Sequence, residues 1–192
     1  MNYQDYIWDL GGTLLDNYGT STAAFVHTLQ DFGLTASHDE VYKALKVSTE
    51  YAVRQFAPGN KEFLKAYKAN EAKELEHPIL FEGASELLAQ IIQQGGRNFL
   101  ISHRDDQVLE ILQKTQISAY FTEVVTAANG FKRKPDPESM LYLKDKYQIE
   151  SGLVIGDRPI DIEAGQAAGF SCYLFDNMKN LEEFVDIELE KE

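Results

Sequence analysis

The sequence predicts an α/β fold: a doubly wound parallel sheet with helices on both faces, interrupted after its first strand by an inserted α-helical block. Three observations predict it. From about residue 78 onward, short apolar runs alternate with longer stretches of helical periodicity, the pattern of strand–helix–strand crossovers. Between about residues 17 and 78 the pattern is helical throughout, with little strand signal. Charged residues, hydroxyls and glycines collect just after the apolar runs, where an open α/β sheet places its ligands. The expected organisation is a core of residues 1–16 and 79–192 with an insertion of residues 17–78.

The elements follow in order. Tyr3 to Leu10 reads as the first strand, ended by Gly11-Gly12. Phe25, Val26, Leu29 and Phe32 recur at helical spacing over Thr22 to Phe32, and Gly33 stops that helix. Ser37, with Glu40 three residues on, has the form of a capping box and opens a helix through Val41, Leu45 and Val47. A further helix follows Ser48 and ends before Pro58-Gly59-Asn60, and another runs from about Lys61 to Glu76. Then come a helix over Gly83 to Gln94, a strand over Arg97 to Ile101, a helix over Asp105 to Lys114 and a short strand within Tyr120 to Thr126. A helix over Pro137 to Tyr147 carries proline near its start, where it is tolerated. Gly152 to Ile155 is a strand, Ile160 to Ala168 a helix, Ser171 to Phe175 a strand, and the acidic tail from Asn180 a last helix.

Bulk properties narrow the function. A chain of 192 residues buries a hydrophobic core without disulfides or structural metals. Its formal net charge of -13 disfavours nucleic-acid backbones and anionic membranes as partners. The same field opposes an anionic substrate, so a phosphate site here needs local positive charge. The single cysteine, Cys172, lies in an apolar stretch and reads as a buried thiol. The N-terminus, Met1-Asn2-Tyr3-Gln4-Asp5, has neither a basic region nor a long apolar one, and no apolar run is long enough to span a bilayer. The expected compartment is the cytoplasm.

The residues behind the strands carry the chemistry. Asp9-Leu10-Gly11-Gly12-Thr13-Leu14 follows the first, Ser102-His103-Arg104 the second, Lys132-Arg133-Lys134-Pro135-Asp136-Pro137 the third across a loop, and Gly156-Asp157-Arg158-Pro159-Ile160-Asp161 the fourth. Three carboxylates, a hydroxyl and a lysine are thereby expected on one rim. Carboxylates that close repel unless a hard cation joins them, and Mg²⁺ fits: it takes oxygen ligands and retains places for water and phosphate.

These segments, in this order, resemble the haloacid dehalogenase-like hydrolase superfamily over essentially the whole chain. Gly156 to Gly169 is similar to its fourth motif almost position for position, and Lys134-Pro135-Asp136-Pro137 to its third. The helical block resembles the cap of the phosphoglycolate phosphatase and β-phosphoglucomutase branch. The resemblance implies a Rossmann-like core and a set of roles. Asp9 would be nucleophile and metal ligand, forming an aspartyl-phosphate. Ser102 would hydrogen-bond a phosphoryl oxygen, and Lys134 would place a charge on the phosphate and on Asp9. Gly12 and His103 would line the phosphate site, with Arg104 as a further contact. Asp157 would hold Mg²⁺ with Asp161 in support, and Gly11 would offer its backbone carbonyl. The substrate would be a small phosphorylated metabolite, and the cap would close over it and set specificity.

One position departs from the family pattern. Most phosphatases of this family carry a second aspartate two residues after the nucleophile, as acid and then base; here that residue is Gly11. General acid–base catalysis is worth about 10²–10⁴-fold in rate. Three readings compete: a slow phosphatase that relies on a substrate group or a cap residue as proton donor, with Asp16 also nearby in sequence; phosphonoacetaldehyde hydrolase-like C–P cleavage, for which Lys43 and Lys46 are candidate Schiff-base lysines by location; and a protein that binds metal and phosphate without hydrolysis. A dinucleotide-binding dehydrogenase is disfavoured, because Leu10-Gly11-Gly12-Thr13-Leu14 does not match G-x-G-x-x-G.

Overall fold

The structure is a computed structural model, which describes residues 3–74, 76–104 and 107–189. The expected helix start at Asp105, residue Leu75 in the expected helix to Glu76, the N-terminal Met1 and Asn2, and the last residues of the acidic tail lie outside that set. The chain divides into two units, Met1–Leu15 with Leu80–Glu192, and Asp16–Ile79.

The first unit is built on five parallel strands: β1 (Asp5–Trp8), β2 (Arg97–Ile101), β3 (Phe121–Val125), β4 (Gly152–Gly156) and β5 (Ser171–Leu174). Their order is β3-β2-β1-β4-β5. The chain winds outward from β1 to one edge and then returns to the other side of β1, so the switch point lies between β1 and β4. Trp8 pairs with Leu100 on one side and Ile155 on the other. Alternate residues of the central strands face opposite layers. Tyr6, Trp8, Leu100, Leu153 and Ile155 join Leu87, Leu88, Ile91, Leu112, Leu181 and Val185 in one core. Ile7, Phe99, Ile101 and Val154 join Met140, Leu143, Ala164 and Ala168 in the other. This is the doubly wound parallel sheet that the alternating pattern predicts.

The second unit holds α1 (Asn17–Asp31), α2 (His38–Val47), α3 (Thr49–Phe56) and α4 (Phe63–Glu74). Its core centres on Phe25, whose ring meets Phe56, Phe63 and Tyr67 edge to face at centroid distances of 4.9–6.3 Å. The helices α5 (Ala84–Gln93), α6 (Gln107–Lys114), α7 (Glu138–Tyr147), α8 (Pro159–Ala167) and α9 (Met178–Leu189) belong to the first unit. Among the described residues no helix is long and apolar enough to cross a membrane.

Several boundaries differ from the sequence expectation, each for a local reason. β1 is shorter than Tyr3 to Leu10, because the Leu10 carbonyl turns to accept from both Leu14 and Leu15. α1 begins at Asn17 rather than Thr22: Asp16 Oδ1 accepts from the Gly19 amide at 2.8 Å and caps it. The buried Thr20, Thr22 and Thr28 on α1 obscure its apolar stripe, and Thr28 hides its hydroxyl on the Ala24 carbonyl at 2.7 Å. α4 starts at Phe63, where Asn60 Oδ1 accepts from the Glu62 and Phe63 amides. The Ser37–Glu40 capping box forms as expected.

Candidate active site

Asp9 emerges directly from β1, its amide still bonded to the Ile155 carbonyl at 2.9 Å, and is 8% exposed. Asp157 follows β4, the neighbouring strand across the switch point. Asp161 lies in the first turn of α8 and is buried. Each of the three offers a carboxylate oxygen, and these oxygens lie within 4.8 Å of one another. Like charges packed this closely need a cation among them.

Part of that charge is Lys134. Its ammonium lies 2.5 Å from Asp9 Oδ1 and 2.5 Å from Asp161 Oδ1, and it donates to the Ile101 carbonyl at 3.5 Å. The lysine side chain is almost completely buried. Asp161 is engaged on both oxygens, since Oδ2 accepts from the Arg158 amide at 3.1 Å and closes the N-terminus of α8. Packing at that point requires glycine at 156, because a Cβ there would sit 2.4 Å from Asp161 Cβ.

One lysine among three carboxylates leaves the centre acidic. Burial pushes the Asp9 carboxyl above the ordinary carboxylate range; Lys134 pulls it back and Asp161 pushes it up again. Asp157 is pushed up to about 6, by burial first and then by Asp9 and Asp161. Its Oδ1 is buried without a hydrogen-bond partner. Gly12 allows the approach of Asp157: its φ is +85°, and a Cβ would fall 2.4 Å from Asp157 Oδ2. Hard oxygen donors and an orphaned buried carboxylate oxygen fit a divalent cation such as Mg²⁺, and Asp157 is the residue that most needs one.

The other expected residues fall as follows. Ser102 is buried just past β2, with its amide on the Val125 carbonyl at 2.9 Å and its hydroxyl accepting from the Arg104 amide at 3.4 Å. Gly11 is half-buried in an isolated parallel bridge with Leu15. Lys132 and Arg133 are exposed, as surface charges should be, and Asp136 Oδ1 accepts from the Glu138 amide at 3.0 Å at the start of α7. Lys43 and Lys46 are exposed on α2, and the Lys46 ammonium stands 5.6 and 5.1 Å from the ring centroids of Tyr18 and Tyr42.

Two features escape the sequence reading. His103, expected at the phosphate, uses Nε2 to accept the backbone N–H of Lys134 at 2.6 Å. Burial, then the charges of Lys134 and Arg133, hold its imidazole down at about 4, so it is neutral at neutral pH. Arg158, to which the sequence assigns no role, lowers both Asp9 and Asp157 through its charge. Its place between Asp157 and Asp161 was the available signal.

Fold and site together define a class: an α/β enzyme with a lysine-bridged acidic centre at the switch point of a parallel sheet. Residues 6–175 match the family model described as haloacid dehalogenase-like hydrolase, and the chain belongs to that family, as the motifs suggested. It is 29% identical to a phosphoglycolate phosphatase from Aliivibrio fischeri, over 88% of this chain and 81% of that protein. It is 26% identical to a pyrophosphatase from Oceanobacillus iheyensis, over 88% of this chain and 81% of that protein. The crystal structure of a hydrolase from Streptococcus pneumoniae TIGR4 is similar at a TM-score of 0.94 and 70% identity, covering 97% of this chain and all (100%) of that one.

Proposed function

We propose that the chain is a Mg²⁺-dependent phosphatase of small phosphorylated substrates, working through an aspartyl-phosphate on Asp9. The observation that carries this reading is the double ion pair of Lys134 with Asp9 and Asp161, at 2.5 Å each. It fixes one oxygen of a buried carboxylate at a strand end, a position suited to attack on an anion held by the same lysine. The relatives named for phosphoglycolate and pyrophosphate hydrolysis support a phosphoryl substrate.

In this mechanism Lys134 orients Asp9 and neutralises part of the incoming charge. Ser102 donates its hydroxyl to a phosphoryl oxygen, and Asp161 holds Lys134 and the start of α8 in place. Asp9 and Asp157, with the Gly11 carbonyl, would hold Mg²⁺; when bound, it supplies positive charge between carboxylate and phosphoryl group. The helical unit, read as a cap, selects the substrate. No observation favours the Schiff-base alternative: Lys43 and Lys46 are exposed on α2, and the Lys46 ammonium lies over the Tyr18 and Tyr42 rings.

The test is phosphate release from a panel of small phosphorylated compounds, with and without Mg²⁺. Wild type is expected to release phosphate only with Mg²⁺, and Asp9→Asn to lose release altogether. Turnover in purified Asp9→Asn equal to wild type would remove Asp9 as nucleophile and the reading with it.

A further inference from the structure

The chemistry of phosphoryl transfer from an ester poses a question about protons. When the bond from phosphorus to the leaving oxygen breaks, that oxygen takes the electron pair. An alkoxide is too basic to depart easily, so hydrolysis of alkyl phosphates calls for a group that protonates it. Among the described residues of the α/β unit, the acids and bases of this centre already have tasks, and the unpartnered hydroxyl of Thr13 is too weak an acid to take this one. Lys134 is shared between Asp9 and Asp161. Asp161 has Lys134 on one oxygen and the Arg158 amide on the other. His103 spends Nε2 as an acceptor for the Lys134 amide and is neutral. Asp157 carries the unpartnered oxygen of the cation site. Asp16, the nearest acid in sequence after Asp9, caps α1 through the Gly19 amide at 2.8 Å. At position 11, between Asp9 and the Gly12 that backs Asp157, there is no side chain.

We infer that this chain acts on phosphoryl donors whose leaving group departs as a stable anion without a proton, namely acyl phosphates, phosphoanhydrides and acidic aryl phosphates, rather than alkyl phosphomonoesters. The inference rests on the Asp9 reading above and narrows its substrate class. In the first step an Asp9 oxygen gives its electron pair to phosphorus, and the leaving oxygen departs with the pair of the broken bond. In the second, water attacks phosphorus and the bond to Asp9 breaks. Asp9 recovers its carboxylate, and phosphate leaves with one proton of the water while the other goes to solvent. That second step also lacks a side-chain base, so the aspartyl-phosphate accumulates.

The test uses the full-length protein with Mg²⁺ and a graded series: acetyl phosphate, pyrophosphate, p-nitrophenyl phosphate, phenyl phosphate and glycerol phosphate. The kcat/KM values, which report the first step, are expected to fall about 10²–10⁴-fold from the acidic to the basic leaving groups, the range one general acid supplies. p-Nitrophenyl phosphate should give a burst of nitrophenolate close to one per active site. Gly11→Asp is expected to flatten the series by raising the glycerol phosphate value about 10²-fold. A flat series in wild type, with glycerol phosphate hydrolysed as fast as acetyl phosphate in an Asp9-dependent reaction, would overturn the inference and leave the phosphatase reading standing. Absence of Asp9-dependent release from every member would overturn both. The wild-type series decides the matter even if Gly11→Asp fails to fold.

Discussion

His103 holds a neighbouring segment of the chain in place. Its type and position, next to Ser102 after β2, suggested a phosphate contact. Its Nε2 accepts the backbone N–H of Lys134, 31 residues away, at 2.6 Å. A protonated imidazole would lose that acceptor and place a third positive charge beside Lys134 and Arg133, with Arg158 also opposing it and only Asp161 favouring it. The native protein therefore binds fewer protons here than the unfolded chain does. The contribution to stability is complete above the ordinary imidazole value of 6.5 and is lost as pH falls through about 4. His103→Gln keeps an acceptor oxygen and removes the titration. The urea midpoint of the variant is expected to fall less than that of wild type between those two pH values, and a parallel fall would assign the acid sensitivity to other groups. Asp9, Asp157 and Lys134 were visible as residues because each follows a strand. The direction of each hydrogen bond was not, because it depends on a partner distant in the chain.

At the scale of elements, the central pair of strands is tied by a buried polar contact. Trp8 Nε1 on β1 donates to Asn98 Oδ1 on β2 at 2.9 Å, and Asn98 Nδ2 donates to the Leu88 carbonyl at 3.0 Å and the Tyr120 carbonyl at 3.3 Å. Asn98 thus joins β1, β2, α5 and the turn before β3 without exposing any of itself. Asn98→Leu would strand the indole N–H and the two carbonyls in an apolar layer, at a cost of about 1–3 kcal/mol for each group left unpaired. A lowered urea midpoint with an unchanged denaturant slope is the expected result; no change would mean that the layer repacks around leucine. The sequence shows the strand here by its apolar run, and an asparagine in that run looks like a defect until its three partners are assembled. Helix boundaries follow the same logic. The Ser37 capping box is a local pattern and was readable, whereas the Asp16 cap had no such signature and α1 started earlier than its apolar stripe.

The whole molecule carries a net charge of -13, yet the buried Lys134 and the charge of Arg158 stand at the candidate site, where the proposed substrate is an anion. Long-range repulsion and short-range attraction respond differently to salt, because exposed, distant charges are screened and the buried lysine is not. For a dianionic substrate, kcat/KM is expected to rise, by up to about tenfold, as salt goes from about 0.01 M to about 0.15 M and the screening length falls from about 30 Å to about 8 Å. A fall over that range would show that a local positive surface, rather than the net charge, governs encounter. Stopped-flow or initial-rate measurements at substrate well below KM would read this directly.

The sequence by itself determined the class of fold, the helical insertion and the residues standing at the strand ends, because strand and helix periods and the residues that end them are local properties of the chain. It also showed that position 11 has no side chain, the fact on which the substrate inference turns. Only the tertiary structure decided how those residues are used. Pairing Trp8 with both Leu100 and Ile155 brings Asp9 beside Asp157 and Ser102. The loop after β3 carries Lys134 into the space between Asp9 and Asp161. Close packing leaves Asp157 Oδ1 buried without a hydrogen-bond partner. These are consequences of long-range contacts, between segments as far apart in the chain as Trp8 and Ile155, and no window along the chain contains them.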